Sequence, residues 1–191
     1  MAALEVRILI HLPKFQPERW GLSWGGWLDN RHGEWWLLAQ LALIAAHLLP
    51  PWPAPGAWGY AWPLPLALAG ALLLLLGLIL AAQAFWELGS SLTPLPDPIP
   101  GAPLVTSRAY GRCRHPLYQA VLLCSLGVSL ALGSLLHLAL LLALVAVLGG
   151  KARREERALE LAYPDYATYR ARTPAIIPRL PRLPWLDWRA L

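Results

Sequence analysis

The chain has 191 residues, of which 57% are hydrophobic and only 14% charged, with a formal net charge of +5. A chain this apolar is not an ordinary soluble domain of its size; it reads as one integral membrane domain, residues 1–191. The positive excess sits mostly in the C-terminal tail, where attraction to anionic headgroups of membrane lipids accounts for it, and no aromatic and basic interleaving points to nucleic acid.

In chain order, residues 1–34 carry Glu5, Arg7, His11 and Pro13, which interrupt anything resembling the apolar segment of a signal peptide, so the mature chain is expected to begin at Met1. Trp20, Trp24, Trp27, Trp35 and Trp36 crowd the approach to the first apolar run as an interfacial aromatic belt does, which places residues 1–34 along the membrane surface.

Residues 35–86 hold two apolar runs, 35–49 and 64–86, with no charge between Glu34 and Glu87. The second crosses a hydrocarbon core of roughly 30 Å. The first is about 22 Å long as a straight helix and must thin the bilayer or borrow flanking residues to cross. Residues 87–115 follow as a proline-dense connection, with Pro94, Pro96, Pro98, Pro100 and Pro103, that cannot be helical between Gly89 and Tyr110. A connection of this length inside a compact membrane protein points to a lid or binding loop. Leu104 and Val105, followed by Thr106, read as a short extended element lining a pocket.

Residues 116–150 contain no Asp, Glu, Lys or Arg. Two helices over 117–132 and 135–150, turning at Gly133-Ser134, have equal arms of about 24 Å. Such a hairpin returns Arg114 and His115 to face Lys151 and Glu155. Charges beside transmembrane helices are usually plain anchors, and on spacing alone that reading stays open. Residues 151–191 begin as a helical extension, with Lys151, Glu155 and Leu159 on one face, and end in a basic tail. The distribution of Lys and Arg places both termini and the 87–115 segment in the cytoplasm. The architecture expected is therefore all-α, with about four transmembrane helices, a C-terminal helical hairpin and a cytoplasmic extension.

Cys113 and Cys124 cannot form a disulfide framework; Cys124 reads as a small core residue, and Cys113 as a lone thiol in a basic setting that lowers a thiol pKa. The five histidines lack metal-ligand spacing, so no metal is expected, and His47 and His137 read as polar packing residues.

Pro116 stands where a helix tolerates proline best, at its first position. The donors of that helix start, with Arg114 and His115, form a receptor for a carboxylate. Together with the Glu155 carboxylate and the aromatic Tyr110 and Tyr118, they suit a zwitterionic amino-acid moiety with a positive centre, which is the description of S-adenosylmethionine. The chain has no GxGxxG loop and no alternation of strand and helix, which excludes a soluble Rossmann-type methyltransferase.

The run LVTSRAYGRCRHPLY, the Glu155-Glu156 pair with Leu159, and YPDYATYRARTPAIIP closely resemble the isoprenylcysteine carboxyl methyltransferase family and its bacterial membrane methyltransferase relatives, over about residues 104–178. The resemblance implies a membrane enzyme using S-adenosylmethionine. It implies that Pro103, Leu104 and Val105 line the nucleoside pocket, that Tyr110 packs on the cofactor, that His115, Pro116, Leu117 and Tyr118 contact it at the hairpin base, and that Glu155 binds its amino-acid end. Tyr166 and Tyr169 match the closing motif, as packing or ligand residues. Three positions depart from the family pattern: Arg108 replaces a glycine, Ala120 replaces another, and Lys151 stands where the eukaryotic enzymes place a substrate-binding arginine. Lysine keeps the charge and gives up the bidentate fork, a clue that the acceptor differs from a prenylcysteine carboxylate.

The reaction this implies is in-line methyl transfer to a lipophilic or prenylated acceptor, needing no catalytic acid or base and relying on alignment and exclusion of water. Phospholipid-amine or small-thiol acceptors, a nicotinamide-dependent sterol-reductase-like enzyme and a noncatalytic membrane component stay open as alternatives.

Overall fold

The computed structural model describes residues 19–177. The N-terminal Glu5 to Pro13 stretch and the basic end of the tail lie outside the described residues. All regular structure among the described residues is helical: α1 (Trp24–Asp29), α2 (Glu34–Ala46), α3 (Leu64–Leu88), α4 (Ala109–Arg112), α5 (Pro116–Leu132), α6 (Leu135–Ala162) and α7 (Tyr166–Arg172), with short 3-10 turns at Pro55–Trp58 and Gly89–Ser91.

Where four spans are expected from the sequence, two helices among the described residues are long and apolar enough to cross a membrane, Leu64–Ser91 and Leu135–Ala162. The first of these turns leucines outward, among them Leu68, Leu72, Leu75 and Leu78, each more than half exposed. Helix α2, with 13 residues, rises about 20 Å, and α5, with 17, about 26 Å. Both fall short of a core of roughly 30 Å. Helix α2 also stops at Ala46, three residues before the end of its apolar run, where the chain turns toward the cis peptide at Trp52-Pro53.

The closest packing joins α3 to α5, and small residues are its cause. A Cβ placed on Gly127 would lie 2.6 Å from the Leu74 amide nitrogen and 2.7 Å from the Gly70 carbonyl, both backbone atoms, and one on Gly77 would meet the Cys124 sulfur at 2.6 Å. Glycine lets the two backbones touch, the means by which helices associate where no hydrophobic drive exists between them. Cys124, read from the sequence as a small core residue, is partly buried and packs against Gly77 at this contact. The turn between α5 and α6 is closed by Gly133 at φ 58, where its amide donates to Ser129. Ser134 caps the next helix by accepting from the His137 amide.

His47 and His137 serve the packing role read from the sequence. The His47 ring bridges the Leu43 carbonyl at 2.8 Å and the Ser125 hydroxyl at 2.6 Å, while His137 lies 2.9 Å from the Ser134 hydroxyl and 3.3 Å from the His47 carbonyl. Their rings meet edge to face at 5.7 Å. A chain of four polar side chains thus ties α2, α5 and α6 together at the end remote from the site.

The proline-dense connection is an ordered loop with no extended strand at Leu104-Val105. Leu92, Leu95, Pro96 and Ile99 are buried beneath it. Arg154 donates to the Arg31 carbonyl and approaches Asp97, and His32 meets Asp97 at 2.9 Å, so the loop is strapped to both the N-terminal segment and α6.

Candidate active site

The equal arms of the α5/α6 hairpin do return its two ends to one level, and the polar residues there meet as follows. His115 ends the loop, caps α5 and stacks flat on Tyr118 three residues along, with centroids 5.1 Å apart and planes 4° apart. The Tyr118 hydroxyl donates to Glu155 Oε2 at 2.5 Å, and the same oxygen lies 3.7 Å from His115 Nδ1. His115 Nε2 lies 3.0 Å from Glu156 Oε1; a carboxylate only accepts, so this nitrogen carries the proton. Glu156 thus holds the imidazole by a hydrogen bond, and Glu155 lies beyond hydrogen-bond reach on its other side.

Arg114 departs from the expected arrangement. Its Nε and Nη2 meet Glu156 Oε1 at 2.8 and 2.7 Å, and its Nη1 donates to the carbonyls of Arg170 and Thr173. Its backbone amide donates to the Pro174 carbonyl at 2.8 Å, and that of His115 to Ala175 at 2.9 Å. The guanidinium is a buried strut that docks the segment after α7 against the start of α5, and four of its five N–H donors are engaged by protein acceptors. Glu156, which sequence spacing passes over, is the hub of this cluster, with Arg170 completing it at 3.4 Å.

Lys151, 3% exposed, donates to Gln40 Oε1 and the Pro94 carbonyl, each at 2.8 Å, and stands 5.5 Å above the Tyr118 ring. It joins α2, the proline loop and α6 at one atom. Cys113 is buried and donates to Gln119 Oε1 at 3.4 Å. Burial pushes its thiol up to about 11, against the opposing pull of the His115 amide and Arg114. The basic setting that lowers a thiol pKa is thereby outweighed, and the residue is an inert packing thiol. Burial, reinforced by the Glu155 carboxylate, also raises the Tyr110 phenol above its ordinary range, so it stays protonated.

Two cavities meet at this cluster. One, of about 70 Å³, lies under the proline loop and is lined by Pro103, Leu104, Val105, Tyr110 and Glu155, joined by Tyr163, Tyr166 and Tyr169. The other, of about 310 Å³, lies between α2, α3 and α5 and is lined by His115, Leu117, Tyr118, Lys151, Gln40 and Glu155. Leu88, Thr93, Tyr110, Arg114 and Glu155 line both and form their common wall. Pro116 lines neither: it is fully buried and shapes the start of α5. A third, almost wholly apolar hollow of about 250 Å³ shares Ala81 and Val121 with the second cavity and continues it toward His47 and Ser125.

The profile of the phospholipid methyltransferase family matches residues 66–166, from α3 to the first residue of α7. The chain belongs to the phospholipid methyltransferase family. The match takes in both walls of the site and starts well before the motifs that carry the resemblance. Within this family the chain is also similar to the cobalt-zinc-cadmium resistance protein CzcN of Cupriavidus metallidurans, 48% identical over 82 residues that cover 40% of this chain and 36% of the relative. The nickel-cobalt-cadmium resistance protein NccN of Alcaligenes xylosoxydans is 38% identical over 82 residues, covering 40% and 37%. The matched stretch thus spans little more than a third of either relative's length. No solved structure matches. Among the described residues of this phospholipid methyltransferase family member, no group of three or more His, Cys, Asp or Glu is placed to hold a metal ion.

Proposed function

We propose that the chain is an S-adenosylmethionine-dependent integral membrane methyltransferase acting on a lipophilic acceptor, with the isoprenylcysteine carboxyl methyltransferases as its functional likeness. The observation that carries this is the pair of cavities sharing the Glu155 and Tyr110 wall, one under the proline-dense loop and one between apolar helices. A methyl donor and a lipid acceptor need such an arrangement, because each arrives from a different medium and the two reacting atoms must meet.

The residues present fit the donor. The loop-side cavity has apolar lining at Pro103, Leu104 and Val105 and carries a carboxylate in Glu155, and its enclosed space of about 70 Å³ must widen to admit the whole cofactor. Those three would face the nucleoside, and Glu155 the ammonium of the amino-acid end. Bound there, S-adenosylmethionine supplies an electrophilic methyl on a sulfonium. Tyr118 holds Glu155 in place, Tyr110 stays neutral and closes the wall, and the anchored loop excludes water. Alignment rather than acid–base chemistry then supplies the rate. Lys151, with Gln40, orients the acceptor's polar end, and the apolar hollow beyond Val121 receives its hydrocarbon part. In this reading α2 and α5 also cross, as short helices in a thinned bilayer, with both termini and the site in the cytoplasm.

A phospholipid amine is the second reading of the acceptor, favoured by the family match. Incubation with radiolabelled S-adenosylmethionine and whole-membrane extract separates the readings by the labelled species: a phospholipid, a prenylated thiol or carboxylate, or a small thiol. Calorimetry on the purified protein in detergent tests the shared reading. S-adenosylhomocysteine binds wild type, and Glu155→Gln, which keeps its size and loses its charge, weakens binding at least about tenfold with no loss of thermal stability. Absence of binding by folded wild type, or binding of NADPH in its place, would overturn the proposal.

A further inference from the structure

Among the described residues, three buried side-chain atoms have no hydrogen-bond partner: Trp20 Nε1, Glu34 Oε1 and the Tyr166 hydroxyl. Tyr166 differs from the other two in being completely buried while also standing on the wall of the loop-side cavity. Three other tyrosines near the site are bonded. Tyr163 donates to the Ala102 carbonyl at 2.8 Å, Tyr169 to the Tyr110 carbonyl at 2.6 Å, and Tyr118 to Glu155. A buried hydroxyl left unpaired is costly to the folded state, and native proteins seldom carry one without a use for it.

The use follows from what else the cavity offers. An α-amino acid end presents an ammonium and a carboxylate a few ångströms apart. Glu155, on the cavity wall, is complementary to the first. The second needs donors, and the nearby guanidinium is engaged: Arg114 is bonded to Glu156 and to the carbonyls of Arg170 and Thr173. The Tyr166 phenol is a fully buried donor on that wall with no protein partner, its ring edge to face with Tyr169 at 5.8 Å. We propose that Tyr166 is a ligand-binding residue whose hydroxyl donates to the carboxylate of the cofactor's amino-acid end. This rests on the methyltransferase reading above and adds the residue that recognises the anionic half of the zwitterion.

The test compares two ligands and one conservative variant. S-adenosylhomocysteine carries the amino-acid end, and 5′-methylthioadenosine lacks it. Calorimetry of Tyr166→Phe in detergent is expected to show S-adenosylhomocysteine bound about 10- to 100-fold more weakly than by wild type, with 5′-methylthioadenosine unchanged. The ligand-free variant should melt no lower than wild type, because the hydroxyl it loses bonds to nothing in the protein. Equal weakening of both ligands, unchanged S-adenosylhomocysteine affinity, or a lowered melting temperature would each overturn the assignment. Failure of wild type to bind S-adenosylhomocysteine is a different result, which overturns the methyltransferase reading itself.

Discussion

Glu156→Ala is expected to be among the most destabilising single substitutions in the described chain, costing about 3–5 kcal/mol, because it removes one half of a buried ion pair and leaves the other uncompensated. Glu156 is 9% exposed and receives Arg114 through two nitrogens, His115 through a third and Arg170 through a fourth. Without it, the Arg114 guanidinium, 7% exposed, keeps only two backbone carbonyls as partners. Against a total stability of about 5–15 kcal/mol the loss is severe. It also frees the segment after α7, since Arg114 and His115 dock that segment through their side chains and amides. Denaturation of the purified protein in detergent checks the expectation, and Glu156→Gln, which retains one acceptor, should fall between alanine and wild type. Glu155→Ala provides the contrast. That carboxylate is partly exposed and receives one hydrogen bond, from Tyr118, so its loss should impair ligand binding far more than folding. Equal stability of Glu156→Ala and wild type would show that the cluster is not the strut described.

The second large effect is expected at Gly127. A valine there drives its side chain into the Leu74 amide and the Gly70 carbonyl, and backbone of a packed helix does not move aside as a long side chain does. Overpacking costs about 1–3 kcal/mol in a soluble core and occasionally more. Here it separates α3 from α5, which carry the walls of the inter-helix cavity at Ala81, Phe85, Leu117 and Val121. The variant should give little monodisperse protein on size-exclusion chromatography. Gly56→Ala, where nothing lies within 4 Å, should behave as wild type. Normal yield and melting of Gly127→Val would show that the α3/α5 contact is looser than its glycines imply.

What the sequence makes legible follows from where its patterns are periodic. Two equal apolar arms about a Gly-Ser turn specify a hairpin, and a hairpin specifies that His115 and Glu155 meet. Lys151 and Glu155 share a helix face at a spacing of four, so both were readable as site residues. Glu156, one residue further round, falls off that face and is not singled out by the spacing. It is interior because the segment of Pro174 and Ala175 returns to bond the amides of Arg114 and His115, and a return by irregular backbone leaves no periodic trace. The same return converts Arg114 from a receptor for a ligand's carboxylate into a strut. The number of spans was less legible: apolar runs are visible in composition, but where a helix stops within a run depends on turns such as that at Trp52-Pro53.

Leu41 and Phe85, on the inter-helix cavity, are 52% and 41% exposed at the outer surface of the bundle. A molecule drawn through that mouth is sampled from two dimensions. Its effective concentration is a mole fraction of the surrounding lipid, whereas whatever enters beneath the proline loop is counted per unit volume of water. On the function proposed, diluting the acceptor with inert lipid at fixed total amount should slow methyl transfer, and enlarging the aqueous volume at a fixed donor concentration should not.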